Sequence, residues 1–214
     1  MPGTTKSHQA YDAIERMITF QELRPGTLVS ESMLMNLTNL GRTPIRESLQ
    51  RLSQERMVEI HPSRGVLIPP MSIEEQLKLL ELRRELECFT VGVAAQRRND
   101  LQKQQMCELA EELSADHIVP STFAVLLRRI HEITVAATGN EYISVAMAPL
   151  QGLSRRFWFA HLTNPEKDVK TASKLHKSVL EAICKADAEM ARSASLRHND
   201  YLLDFAYGTL RRPQ

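Results

Sequence analysis

Residues 41–52 read Gly41-Arg42-Thr43-Pro44-Ile45-Arg46-Glu47-Ser48-Leu49-Gln50-Arg51-Leu52. Thr43 can cap a helix with Pro44 at its first position, where a missing N–H costs nothing. Ile45, Leu49 and Leu52 then form one apolar stripe. Arg42 and Arg46, four residues apart, share the opposite face. Upstream, Ser30 predicts the cap of a shorter helix whose buried side would be Met33, Leu34 and Leu37, with Thr38-Asn39-Leu40-Gly41 as the turn between the two. Two short helices in this order predict a helix-turn-helix, in which the second helix enters the major groove and its N-terminal residues reach base edges. Arginine pairs bidentately with guanine there, and the open N–H groups of the helix start suit a phosphate.

Working outward, Tyr11, Ile14, Met17 and Ile18 recur at helical spacing, and Arg24-Pro25-Gly26 stops that helix. On the C-terminal side, Val58 and Ile60, then Val66 and Ile68, alternate like two strands. Pro62-Ser63-Arg64-Gly65 supplies the turn between them. The hairpin would be a wing with Arg64 at its tip. Pro69-Pro70 ends the segment, since two prolines neither continue a strand nor sit inside a helix. The expected organisation is residues 1–70 as a winged helix-turn-helix and residues 71–214 as a second, all-α antiparallel bundle, so the fold class is mainly α.

The second segment opens at Ser72, which forms a capping box with Glu75. A helix to about Arg98 carries Ile73, Leu77, Leu80, Leu82, Leu86, Phe89 and Val93. Five more helices follow, spanning about 101–115, from Pro120 or Ser121 to the Gly139 stop, about 141–160 with Pro149 inside, from the Asn164 cap with Pro165, and from the Asp187 cap to about Leu210. Three histidines, His131, His176 and His198, fall mid-helix on three of them. Three imidazoles from facing helices can make a metal site inside a bundle, but on the pattern alone the signal is weak, since a histidine in a helix is usually a hydrogen-bonded core or surface residue.

Composition limits the alternatives. The chain has 214 residues, 43% hydrophobic and 25% charged, an ordinary globular make-up. Only 8 Gly and 10 Pro are present, too few turn formers for an all-β sandwich. With 27 Lys and Arg against 26 Asp and Glu, bulk charge does not drive nucleic-acid binding. Residues 1–70 hold 8 basic and 7 acidic side chains, so any DNA contact depends on placement. Cys88, Cys107 and Cys184 have no C-x-x-C spacing, which argues against a disulfide framework and for a reducing compartment. No apolar signal core and no run of about 20 apolar residues is visible, so the expected location is cytoplasmic, away from a membrane.

These phrases resemble the GntR family of bacterial transcription regulators. The resemblance rests on Arg24-Pro25-Gly26-Thr27-Leu28-Val29-Ser30-Glu31, on residues 41–52 and on Arg64-Gly65, against a family pattern close to P-G-x-x-L-x-E, S-R-T-P-V-R-E-A-L-x-x-L and G-R-G. It implies that Arg42, Thr43 and Arg46 contact operator DNA, with Arg64 and Gly65 in the wing. Ser32 stands where the family commonly has arginine, and Gly41 where it has serine. Residues 72–212 resemble the FCD effector domain. The carrying phrases are Glu81-Leu82-Arg83-Arg84-Glu85-Leu86-Glu87, Ile130-His131-Glu132, Thr138-Gly139-Asn140 and His176-Lys177-Ser178-Val179-Leu180-Glu181-Ala182-Ile183, with Ala186-Asp187-Ala188-Glu189-Met190-Ala191 and His198 following. Six helices match the VanR-like group of that domain.

The resemblance implies a ligand-responsive regulator, most often a repressor, acting as a homodimer on palindromic operator DNA. Its effector would be a small carboxylate. Arg83 could clamp that carboxylate or pair with Glu87 at i+4, and Asn140 would either contact the effector or stop a helix. A divalent metal, zinc or nickel, would sit on His131, His176 and His198. The family's aspartate ligand, four residues before the first histidine, is Leu127 here. A hydrolase using the three histidines is the rival, but Glu132 points about 100° away from His131 on the helix and no H-E-x-x-H motif occurs.

Overall fold

The computed structural model describes residues 5–210. Its elements run α1 (Lys6–Thr19), β1 (Leu28–Val29), α2 (Glu31–Thr38), α3 (Arg42–Gln54), β2 (Glu59–His61), β3 (Gly65–Leu67), α4 (Ile73–Arg97), α5 (Asp100–Glu112), α6 (Pro120–Ala136), α7 (Glu141–Ala160), α8 (Pro165–Cys184) and α9 (Ala188–Leu210). Two compact units result. One holds the residues up to Gln76 together with Gly152–Ala160, the other Leu77–Gln151 and the residues from His161 on. The sequence cut at residue 70, whereas the first unit also takes the opening of α4 and the last nine residues of α7.

In the first unit α1 packs on α3. Its N-cap is Thr5, whose side chain accepts from the His8 N–H. Ala10, Tyr11, Ile14, Met17 and Ile18 face Ile45, Leu49 and Leu52, as the periodicity predicts. Ser30 caps α2 by accepting from the Met33 N–H, and Asn39 ends it in a left-handed conformation. The expected burial of this helix needs correction: Leu34 is fully buried, but Met33 and Leu37 are 44% and 54% exposed. A helix of eight residues covers the core with one edge only. The start of α3 is also earlier than expected. Gly41, not Thr43, is its N-cap, which places Pro44 third, still among the positions whose N–H has no helical partner.

The sheet has three antiparallel strands in the order β1-β3-β2. Strand β1 was not expected. Val29 lies opposite Val66, and Val66 opposite Ile60. Val58, Val66 and Ile68 are buried while Ile60 is exposed, because β2 is the outer strand of the hairpin. Phe157, Trp158 and Phe159 are buried core of this unit, with the Phe20 and Phe159 rings 5.0 Å apart. Arg155 donates to Glu15 Oε1 at 2.7 and 3.1 Å, both side chains being buried.

In the second unit α8 packs on α5, α6 and α9, and α6 on α5. The caps at Ser72, Asn164 and Asp187 form as read, each side chain accepting from the N–H three residues on. Helix α6 ends before Gly139, whose φ of +61° is the left-handed stop expected there. Leu82 and Phe89, among the apolar residues this helix carries, are exposed. They belong to a longer apolar spread on α4 than its packing covers.

Candidate functional site

The residues expected to face DNA lie at the ends of short elements. Arg42 and Thr43 are the first two residues of α3, and both are exposed. Arg46 follows one turn later. Its Nε lies 2.9 Å from both carboxylate oxygens of Glu31 in the first turn of α2. The pair is exposed, so it adds little stability. It ties the Arg46 side chain on α3 to the first turn of α2. Arg64 is exposed in the β2–β3 turn beside Ser63, which has a φ of +63°. Gly65 has a φ of +110°, and a Cβ there would stand 2.8 Å from the Val29 carbonyl oxygen. Its small size serves the approach of β1 to β3.

The bundle core is polar where α4, α6, α8 and α9 contribute side chains. Burial reflects the 3.6-residue period: His131 with Thr134, Ser173 with His176, and Ser195 with His198 and Asn199 all face inward. The His176 ring centroid lies 4.2 Å from that of His198 and 5.8 Å from that of His131. Phe123 closes on His176 at 6.3 Å. Arg83 donates from Nε and Nη2 to the two oxygens of Glu87, at 3.0 and 3.2 Å, and the pair is buried. Asn199 Nδ2 donates to Glu87 at 3.1 Å and to the Ser195 carbonyl at 2.9 Å.

The electrostatics follow from that burial. Burial pushes the Glu87 carboxyl up. The Arg83 charge and hydrogen bonds, then His176 and the Asn199 amide, pull it down further, so the net shift is downward. Burial, then the Arg83 charge, holds His198 down at about 3. Burial and His198, with Arg83, hold His176 well below the usual imidazole value, against the pull of Glu87. His176 and His198 are therefore neutral at pH 7. Each then offers one N–H donor and one ring nitrogen acceptor. Thr134 Oγ1, Ser173 Oγ and Asn199 Oδ1 are buried and meet no hydrogen-bonding partner among the described residues. A bundle built only for stability rarely keeps such atoms.

This arrangement can recognise a small polar or anionic ligand. Arg83 spends two of its five donors on Glu87 and keeps three. Leu127 is buried one turn before His131 and offers no ligand atom. Among the described residues, no three His, Cys, Asp or Glu side chains converge on a point a metal could occupy. Asn140 sits at the start of α7, where its side-chain oxygen accepts from the Tyr142 N–H at 3.0 Å, the helix-end role. Glu87, Thr134, Ser173, Ser195 and Asn199 complete the cluster. Small polar residues three positions from each histidine were the signal for most of them.

Two family models match the chain. Bacterial regulatory proteins of the gntR family match residues 6–68, and the FCD domain matches residues 78–201, more than half of the chain. The chain belongs to the gntR family of bacterial regulatory proteins with an FCD domain, and is a DNA-binding transcriptional regulator. Among its relatives is the HTH-type transcriptional repressor RspR of Escherichia coli K12, 23% identical over 92% of this chain and 87% of that protein. The HTH-type transcriptional repressor GlaR of the same strain is 24% identical over 91% and 93%. The solved structure of E. coli McbR/YncC superposes with a TM-score of 0.77 at 15% identity, covering 98% of this chain and all of that one. A putative GntR regulator from Rhodococcus sp. RHA1 gives 0.66 at 19% identity, covering 99% and 100%. None of the described helices is long and apolar enough to cross a membrane.

Proposed function

We propose that this regulator is a cytoplasmic repressor that binds palindromic operator DNA as a homodimer and responds to a small organic acid in its bundle. The observation that carries the reading is the set of buried polar atoms on Thr134, Ser173 and Asn199 beside the neutral His176 and His198. They supply donors and acceptors that no other described residue uses. The three remaining Arg83 donors supply the charge for a carboxylate. The names of RspR and GlaR support repression. Two-fold symmetry would present two α3 helices to the half-sites of one palindrome. The acid must favour one arrangement of the DNA-binding units over another, since a ligand that binds both equally shifts nothing.

The test is calorimetric titration of the full chain with a panel of mono- and dicarboxylic acids, repeated with His176→Ala. An acid that binds the native chain, loses affinity in the variant and changes operator affinity supports the reading. Binding unaffected by His176→Ala, or no acid binding at all, overturns it. Sedimentation as a monomer at micromolar concentration would remove the palindrome argument.

Zinc or nickel on His131, His176 and His198 is the second reading. It is favoured by the neutrality of two of these imidazoles, the form that ligates, and opposed by the nearby Arg83 charge and by Leu127. Plasma mass spectrometry of natively purified, untagged protein beside His131→Ala decides it. About one metal per chain, lost in the variant, establishes the site.

A further inference from the structure

Away from the histidine cluster, α5 and α8 bring two cysteines together. The Cys107 Sγ lies 2.7 Å from the Cys184 Sγ, closer than two thiols ordinarily approach and longer than the roughly 2.05 Å of a disulfide. Both are free thiols and half-buried. The Cys107 thiol donates to Cys184, and the Cys184 thiol donates to the Lys103 carbonyl at 3.6 Å. Cys184 closes α8, and Arg98 fixes that helix end by donating to the carbonyls of Ile183 and Cys184, both at 2.8 Å. An open groove exposes the pair. It is lined by Arg98, Lys103, Lys177 and Lys185, with Glu111 and Glu181 as its acids.

We propose that Cys107 and Cys184 are a redox-modified pair, oxidised by a hydroperoxide to an intrachain disulfide that ties α5 to the end of the helix carrying His176. The Cys107 sulfur attacks the peroxide. An S–O bond forms, the O–O bond breaks, and the leaving oxygen departs protonated as an alcohol or water. The Cys184 sulfur then attacks the Cys107 sulfenic acid. The S–S bond forms, the S–O bond breaks, and the departing hydroxide takes the Cys184 proton as water. Two thiols give up two electrons and the peroxide accepts them; a thiol reductant returns the pair to its starting state. The order follows from the surroundings. Cys184 keeps its proton on the Lys103 carbonyl, and burial, then the hydrogen bond and charge of Cys107, push its thiol up to about 12, so the first attack falls to Cys107. Its oxidation removes two of the influences that hold the Cys184 proton in place, and Arg98 and Lys103 then favour the attacking thiolate. Disulfides in reducing compartments are characteristically transient and sensory. Cys88 lies apart on α4, its thiol donating to the Arg192 carbonyl at 3.8 Å, and takes no part.

The experiment treats the reduced full-length chain with hydrogen peroxide, then measures intact mass, free thiols and the non-reducing peptide map. The expected result is a loss of two hydrogens in mass and of two of the three thiols. A peptide joining Cys107 to Cys184 is also expected, released by dithiothreitol. Cys184→Ser should abolish the cross-link and leave Cys107 as a sulfenic acid trapped by dimedone, while Cys88→Ser leaves the cross-link intact. Three outcomes in the native chain overturn the proposal: cross-links only between chains, oxidation confined to Cys88, or sulfinic acid at Cys107 without a cross-link.

Discussion

Arg46 and His198 show how single side chains are set by neighbours distant in sequence. Glu31 holds the Arg46 guanidinium at 2.9 Å, which restricts the rotamers open to that side chain. Arg46→Ala should remove ~1–3 kcal/mol of operator affinity and relax preference at one base position. Fluorescence anisotropy on a duplex selected from a random pool measures this, and unchanged affinity and selectivity would take the base-reading role from α3. His198 makes a pH prediction. Folded, it takes up a proton only near about 3; unfolded, near its ordinary value of 6.5. Between those values the unfolded chain binds the extra proton. Stability is therefore full above about pH 6.5 and falls as pH drops toward 3, with a slope of up to about 1.4 kcal/mol per pH unit from this group. His176 shifts in the same direction. Urea unfolding from pH 7 down to pH 5 should show the decline, and His198→Asn should make it shallower. An equal slope in the variant would mean that His198 is not buried neutral.

At the scale of elements, the wing depends on one backbone position. Gly65 combines a φ of +110° with a Cβ site 2.8 Å from the Val29 carbonyl oxygen. Gly65→Ala should cost on the order of 1–3 kcal/mol through backbone strain and the forced separation of β1 from β3. Thermal unfolding measures this, and an unchanged midpoint would show that the strand pair yields freely. Strand β1 itself was illegible in the sequence, because Leu28–Val29 is too short to alternate and exists only through its pairing with β3. Helices with a cap and a stop, such as α8 behind Asn164 or α6 before Gly139, were legible because their signals are local. Burial on α2 was misread because the core covers only the edge holding Leu34. The candidate site divides in the same way. The three histidines stood out by residue type, whereas the bond from Asn199 to Glu87 spans 112 residues and no local pattern encodes it.

At the scale of the whole molecule, the DNA-binding unit is not a contiguous stretch of chain. Residues 152–160, the end of α7, belong to it. Phe157, Trp158 and Phe159 are buried there, Ser154 accepts from the Gln76 amide at 3.2 Å, and Arg155 meets Glu15 in a buried ion pair. That pair is held by its geometry: burial pulls the guanidinium pKa down, the Glu15 charge and hydrogen bonds pull it up, and the net shift is upward. Removing one partner of such a pair commonly costs about 3–5 kcal/mol, because the other charge is left buried and uncompensated. Glu15→Gln should therefore destabilise the full chain by about that amount, whereas the double replacement Glu15→Leu with Arg155→Met should recover most of the loss. A fragment ending at residue 76 loses the ion pair and the aromatic cover together. It should unfold at a lower temperature than the winged-helix transition of the full chain, and bind a half-site duplex more weakly than the full chain does. Calorimetry of the fragment beside the full chain, with anisotropy on half-site duplexes, measures both quantities. A fragment with the full-chain midpoint and half-site affinity would show that Pro69-Pro70 is the true boundary and that residues 152–160 are dispensable to the winged helix.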